Sequence, residues 1–142
     1  MNSYTYSFPT RKSPQEVFDL LLDVERWWSG IYEETITGKS EKLNDEFSFS
    51  AGGGIHFSKQ KLVELIPGKK IVWQITESNH LFLNNPKEWE NTRLVFGILD
   101  KENETQVTFT HEGLEPQIEC YDECSHAWTQ YLNNLHKKLK EQ

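Results

Sequence analysis

The side chains best equipped for chemistry lie late in the chain: His111-Glu112, Cys120, Cys124 and His126. All of them can ligate a metal. Structural zinc usually draws on short, regular Cys–Cys and His–His spacings. Cys120 and Cys124 stand four apart, at the edge of that pattern, while His111 and His126 have no matching spacing. Read as neighbours on one helix, the cysteines are two small apolar thiols facing the protein interior. Helical Cβ atoms at that spacing lie about 5–6 Å apart, beyond the roughly 3.5–4.5 Å that a disulfide bridge needs. The expectation is two reduced thiols, no metal and no cofactor.

Nucleophilic catalysis has no motif to rest on. The chain lacks a Gly-x-Ser-x-Gly elbow. Gly52-Gly53-Gly54 is not followed by Lys-Ser/Thr and precedes a strand pattern, so it is no phosphate-binding loop. His56, His80, His111, Arg93 and Glu64 could reach an interior space, but no spacing singles one out. No catalytic residue is assigned, and the question of an enzyme stays open.

Aromatic placement carries more. Phe18, Trp27, Trp28, Phe49, Phe57, Trp73, Phe96, Phe109, Tyr121 and Trp128 all fall on faces that the residue pattern turns inward. Such rings either fill a core at ordinary density or wall an apolar cavity that takes a small molecule. In the second case Phe49, Phe57, Trp73, Phe96, Phe109, Tyr121 and Trp128 are the ligand-binding set. The stretch Ser78–Asn91 reads as a long loop containing Leu81, Phe82 and Leu83. It is a lid, or Phe82 and Leu83 tuck against a sheet edge, or Leu81–Leu83 is a short strand extension.

The elements that must position these residues follow from periodicity. Ser3–Phe8 alternates as a strand that Pro9 ends. Ser13-Pro14-Gln15-Glu16 opens a helix with a capping Ser, Pro at the first helical position and a reciprocal Glu. A second helical turn covers Val24–Trp28. Strand patterns then occupy Glu33–Thr37, Glu46–Ala51, Ile55–Ile66 with a bulge near Lys59, Lys70–Glu77, Thr92–Lys101 and Thr105–His111. Pro67-Gly68-Lys69 is a hairpin turn. A long amphipathic helix runs from about Gln117 to Lys140, with Trp128 mid-stripe. Consecutive strands with short turns make an antiparallel sheet, and the C-terminal helix is the one element large enough to cover it.

Composition bounds the rest. A chain of 142 residues suits a single domain, 1–142. Hydrophobic residues make up only 36%, but aromatics reach 13%, with five Trp and eight Phe, so a substantial core can be buried. The formal net charge of −7 argues against nucleic acid, whose binding needs phosphate neutralisation. No apolar run is long enough to span a membrane, the N-terminus lacks a secretory pattern, and a cytoplasmic address is expected.

Several segments carry a family resemblance. Ser13-Pro14-Gln15-Glu16-Val17-Phe18 resembles the start of the first helix in START-like proteins, a superfamily that includes Bet v 1-like and polyketide-cyclase-like members. The run from Lys61 to Trp73, with Pro67-Gly68-Lys69 at its turn, resembles their central hairpin. Trp89–Phe96 and Thr105–Leu114 resemble the late strands, and Trp128 matches a common helix position where Ala127 replaces the usual Gly. The ordered set is most similar to the branch homologous to the activator of the heat-shock protein 90 ATPase. The resemblance implies an α+β helix-grip fold: a curved antiparallel sheet around a long C-terminal helix, with two short helices after the first strand. It further implies a cavity that binds a hydrophobic, lipid- or polyketide-like molecule. Its alternatives are a chaperone-regulator-like module with a protein partner and a polyketide-cyclase-like enzyme.

Overall fold

The computed structural model describes residues 3–54, 56–80, 84, 87–115 and 121–141. β1 (Tyr4–Thr10) leads into α1 (Pro14–Leu22) and the single-turn α2 (Val24–Trp27). β2 (Thr35–Gly38), β3 (Glu46–Ala51), β4 (His56–Ile66), β5 (Lys70–His80), β6 (Arg93–Lys101) and β7 (Glu104–Glu112) follow, and α3 (Tyr121–Glu141) closes the chain. The strands form one antiparallel sheet in the order β1-β7-β6-β5-β4-β3-β2. This is the α+β helix-grip arrangement expected from the sequence.

Local chemistry explains the elements. Ser13 Oγ accepts from Glu16 N at 3.2 Å, and Glu16 accepts from Ser13 N at 3.1 Å, so the capping box is formed in full. Pro9 lies inside β1 rather than ending it. β1 is an edge strand, where a missing N–H can face away from the ladder. β4 and β5 pair with register shifts at Lys59/Gln60 and at Leu62/Glu64. Each shift concentrates twist, which bends the sheet around the helix.

α3 is tied along β1 by Tyr4 OH to Thr129 Oγ1 at 2.7 Å and by Tyr6 OH donating to Asn133 Oδ1 at 2.7 Å. Phe8 stacks on His136 farther along, with ring centroids 4.5 Å apart. Against α2, Asn134 Nδ2 donates to Trp27 O at 2.9 Å. The inward stripe of α3 is Cys124, Trp128, Tyr131, Leu132, Leu135 and Leu139, all buried. Among the described residues no helix is long and apolar enough to cross a membrane.

The structure corrects three further expectations. The apolar parity of Ile55–Ile66 predicts an inward Phe57. It pairs with Ser50, while its neighbour Ser58 pairs with the buried Phe49. The inward residues of β4 are therefore Ser58, Gln60 and Leu62, and Phe57 stands on the other face. β5 extends to His80, so the long loop begins later than Ser78; Leu81, Phe82 and Leu83 lie outside the described residues. Cys124 is disulfide-bonded rather than a free thiol. The expectation reads both cysteines as neighbours on one helix, and Cys124 does lie on α3. Cys120 itself lies outside the described residues.

Trp128 is 2% exposed and meets both the sheet and α2's flank. Trp128→Ala is expected to cost about 3–5 kcal/mol by removing a large buried ring. Urea unfolding checks this, and an unchanged midpoint would contradict it.

Candidate functional site

One end of the helix–sheet interface is filled by large side chains, and the other is not. At the filled end Trp73, Phe96, Phe109, Leu62, Ile71 and Leu132 are each at most 1% exposed. Trp73 packs edge-on to Phe96 at 5.9 Å, and Phe96 sits 4.9 Å from Phe109. At the other end the inward positions are small or polar: Ala51 on β3, Ser58 on β4 and Ala127 on α3. There the structure leaves a cavity of about 450 Å³.

The cavity has three kinds of wall. Its apolar wall is aromatic: Trp28 and Phe49, stacked at 4.5 Å, with Trp128 5.0 Å from Trp28, and Tyr131 beyond. Its polar wall comprises His56, Ser58 and His80 from adjoining strands, with Trp89 beside them. Its rim includes the exposed Tyr32, Asp122, Glu123 and His126. The mouth therefore opens beside the first turn of α3.

A chain of hydrogen bonds anchors the inner end. Trp128 Nε1–H donates to His111 Nδ1 at 3.1 Å. An indole nitrogen can only donate, so His111 Nδ1 carries no proton and Nε2 does. Nε2–H points to Thr92 Oγ1 at 2.9 Å, and Thr92 Oγ1 donates in turn to Trp89 O at 2.6 Å. The path runs from α3 through β7 to the segment before β6. Gly113 allows the close approach: its φ is +102°, and a Cβ there would lie 2.6 Å from Thr92 Cγ2. Trp89 is held edge-on between His80 and His111, with ring centroids 4.6 Å from each.

The imidazoles here are kept neutral. Burial pushes His111 down to about 3, helped by the nearby His80. Burial likewise lowers His80 to about 4, with His56 contributing. Burial lowers His56 too, partly opposed by Glu123. Glu34, beside the rim, is taken out of water by burial, yet its carboxyl is held below its ordinary range. Tyr131 OH and the backbone N–H groups of Gly30, Ile31 and Tyr32 all donate to it. Burial and that same bond raise the Tyr131 hydroxyl. Among the described residues no three His, Cys, Asp or Glu side chains gather to hold a metal ion.

The expected ligand set is divided by the structure. Phe49 and Trp128 line the cavity. Trp73, Phe96 and Phe109 lie in the filled half of the core, Tyr121 is half-buried at the start of α3, and Phe57 is on the opposite face of the sheet. Pattern reasoning turned Trp28 inward and let His56 and His80 reach an interior space without placing them in the ligand set, and it missed Trp89, Tyr131 and Ser58 as lining residues. The available signal was parity: Ser58 and Gln60 alternate with Leu62 on β4.

A family model described as "Activator of Hsp90 ATPase homolog 1-like protein" matches residues 11–140. No curated protein matches the chain in sequence. Among solved structures, the Aha1 dimer from Colwellia psychrerythraea is 25% identical, with a TM-score of 0.76 over 98% of this chain and 96% of that one. Protein CV1439 from Chromobacterium violaceum is 16% identical, with a TM-score of 0.75 over 97% and 96%. Protein MLL2253 from Mesorhizobium loti is 16% identical, with a TM-score of 0.71 over 97% and 98%. The last two likenesses are of fold alone.

Neutral buried histidines make stability depend on pH. An unfolded histidine titrates near its ordinary value of about 6.5, whereas folded His80 and His111 do so near 4 and 3. Between those values the unfolded chain binds more protons, so acid favours unfolding. Stability should be complete above pH ~6.5 and fall by about 2 kcal/mol per histidine between pH ~7 and ~5. Urea unfolding at the two pH values checks this, with His80→Gln losing part of the dependence. A flat profile would contradict buried neutral imidazoles.

Proposed function

The chain belongs to the Activator of Hsp90 ATPase homolog 1-like family, and on that premise we propose that it binds a hydrophobic small molecule, lipid- or polyketide-like, between sheet and C-terminal helix. The observation that supports this is the cavity of about 450 Å³ walled by Trp28, Phe49, Trp128 and Tyr131. Volumes of roughly 300–1,000 Å³ with apolar walls and a few polar groups are typical of ligand sites. Phe49 and Trp128 are the members of the expected ligand set that contact the ligand. Trp73, Phe96 and Phe109 act indirectly, by filling the neighbouring volume. No catalytic role is assigned to any residue.

A second reading, a chaperone-regulator-like module with a protein partner, is favoured by the family's own description. The two differ in where a substitution acts. Ala127→Trp places a large ring in the cavity and leaves the outer sheet face untouched. Under the small-molecule reading, a naphthalene-sized probe binds about one per chain, quenches tryptophan fluorescence and raises the melting temperature. Ala127→Trp should weaken that binding at least about tenfold while the protein stays folded. Failure of every apolar probe to bind would favour the interaction module instead.

A cytoplasmic address belongs to the same proposal. Disulfides are rare in that compartment, so the disulfide of Cys124 counts against this address unless that bond is opened in growing cells. Alkylation of intact cells before lysis, read by mass spectrometry, checks this: labelled Cys124 supports the address, and unlabelled Cys124 contradicts it.

A further inference from the structure

Charge and ring chemistry specify the ligand more closely than volume does. Among the described residues that line the cavity, Asp122 and Glu123 are carboxylates and none is Lys or Arg. Both acids stand in the first turn of α3, where the helix end carries about half a unit of positive charge. Two full negative charges more than offset it. Their field reaches inward, since the Glu123 carboxylate favours the charged form of His56 in the polar wall, against burial. A third carboxylate, Glu34, stands beside the rim. It accepts from the Tyr131 hydroxyl, and from the backbone N–H groups of Gly30 and Tyr32 at 2.8 Å, and those bonds favour its ionised form.

The same space is walled by rings. Tyr32, exposed at the mouth, lies 6.2 Å from Tyr131 between ring centroids. Tyr131 in turn lies 6.0 Å from Phe49 and 6.4 Å from Trp28. Aromatic faces attract a cation within about 6 Å of the ring centroid, most strongly where water is excluded. The bond from Tyr131 to Glu34 adds a negative charge at the back of one of these rings. A ligand carboxylate fares worst here. It would pass Asp122 and Glu123 and find no Lys or Arg along the wall, and an unpaired charge is costly to bury. An uncharged ligand gains from the apolar walls alone. A cation gains from the rings and from the acids together.

We propose that the cavity takes an organic cation: an apolar, ring-like body against Trp28 and Trp128, and a quaternary or protonated amine head at the mouth, among Tyr32, Tyr131 and the carboxylates of Asp122 and Glu123. This rests on the small-molecule reading and deepens it. Ordinary fatty-acid anions are thereby excluded, although they fit the cavity by size.

Three probes sharing a naphthylmethyl body separate the contributions: (2-naphthylmethyl)trimethylammonium, its uncharged isostere 2-neopentylnaphthalene, and (2-naphthyl)acetate. Each is equilibrated with the protein by dialysis at low salt and at about pH 8, where an ordinary histidine is neutral. The ammonium should bind at least about tenfold tighter than the acetate, and about three- to tenfold tighter than the isostere. A cavity that is merely apolar would prefer the isostere, because the ammonium must leave water. Asp122→Asn with Glu123→Gln, both at exposed positions, should weaken the ammonium about three- to tenfold and the isostere by less than about twofold. In the unmodified protein, added salt should narrow the ammonium's lead over the acetate. An isostere or acetate that binds as tightly as the ammonium, or a lead that neither the double variant nor salt reduces, overturns the charge selectivity and leaves the small-molecule reading standing. Binding of none of the three removes both.

Discussion

The hydrogen bond from Trp128 to His111 is the constraint around which this interior is organised. It joins the middle of the C-terminal helix to the last strand, at a site closed to water. Because an indole can only donate, the bond requires a neutral imidazole with its proton on Nε2. That proton then holds Thr92, and Thr92 holds the backbone of Trp89. One tautomer thus sets the positions of two tryptophan rings. A proton added to His111 would face the indole N–H donor to donor, and burial already opposes the charge.

The cavity follows from what lies on either side of that anchor. Toward the carboxyl end of α3, leucines and large rings fill the space at core density. Toward its amino end, Ala51, Ser58 and Ala127 are too small to meet across the gap that the curved sheet leaves. The rings that remain there, Trp28, Phe49 and Trp128, pack against one another and form a wall. The same histidine anchor keeps Trp89 edge-on to His80 and beside the space. A ligand site built on this scaffold inherits its geometry from a polar bond at the back of the core rather than from its mouth.

Much of this was legible in the sequence. Ser13-Pro14-Gln15-Glu16 gave a helix start, and the alternation of Ile71, Trp73 and Ile75 gave an inward face, because local rules dominate there. Recurrence of apolar residues every three or four positions gave α3 its buried stripe. β4 resisted, since its inward face carries Ser58 and Gln60, and apolar parity therefore pointed at Phe57. Hydrophobic patterning finds filled cores, and a strand that faces a cavity breaks the pattern. Trp89 escaped for a different reason: it follows the end of β5 and is buried by rings from other strands, contacts that no local window contains. The disulfide at Cys124 is a covalent bond, which apolar periodicity does not register.

The most direct measurement is the response of the five indole N–H resonances to a bound naphthalene-sized probe in a nitrogen-15 labelled sample. Trp28, Trp89 and Trp128 line the cavity, whereas Trp27 and Trp73 are buried outside it. The account predicts saturable shifts for the first three at one ligand per chain, with Trp27 and Trp73 left in place. Shifts confined to Trp27 or Trp73, or no shift at any indole while ligand binds, would contradict it.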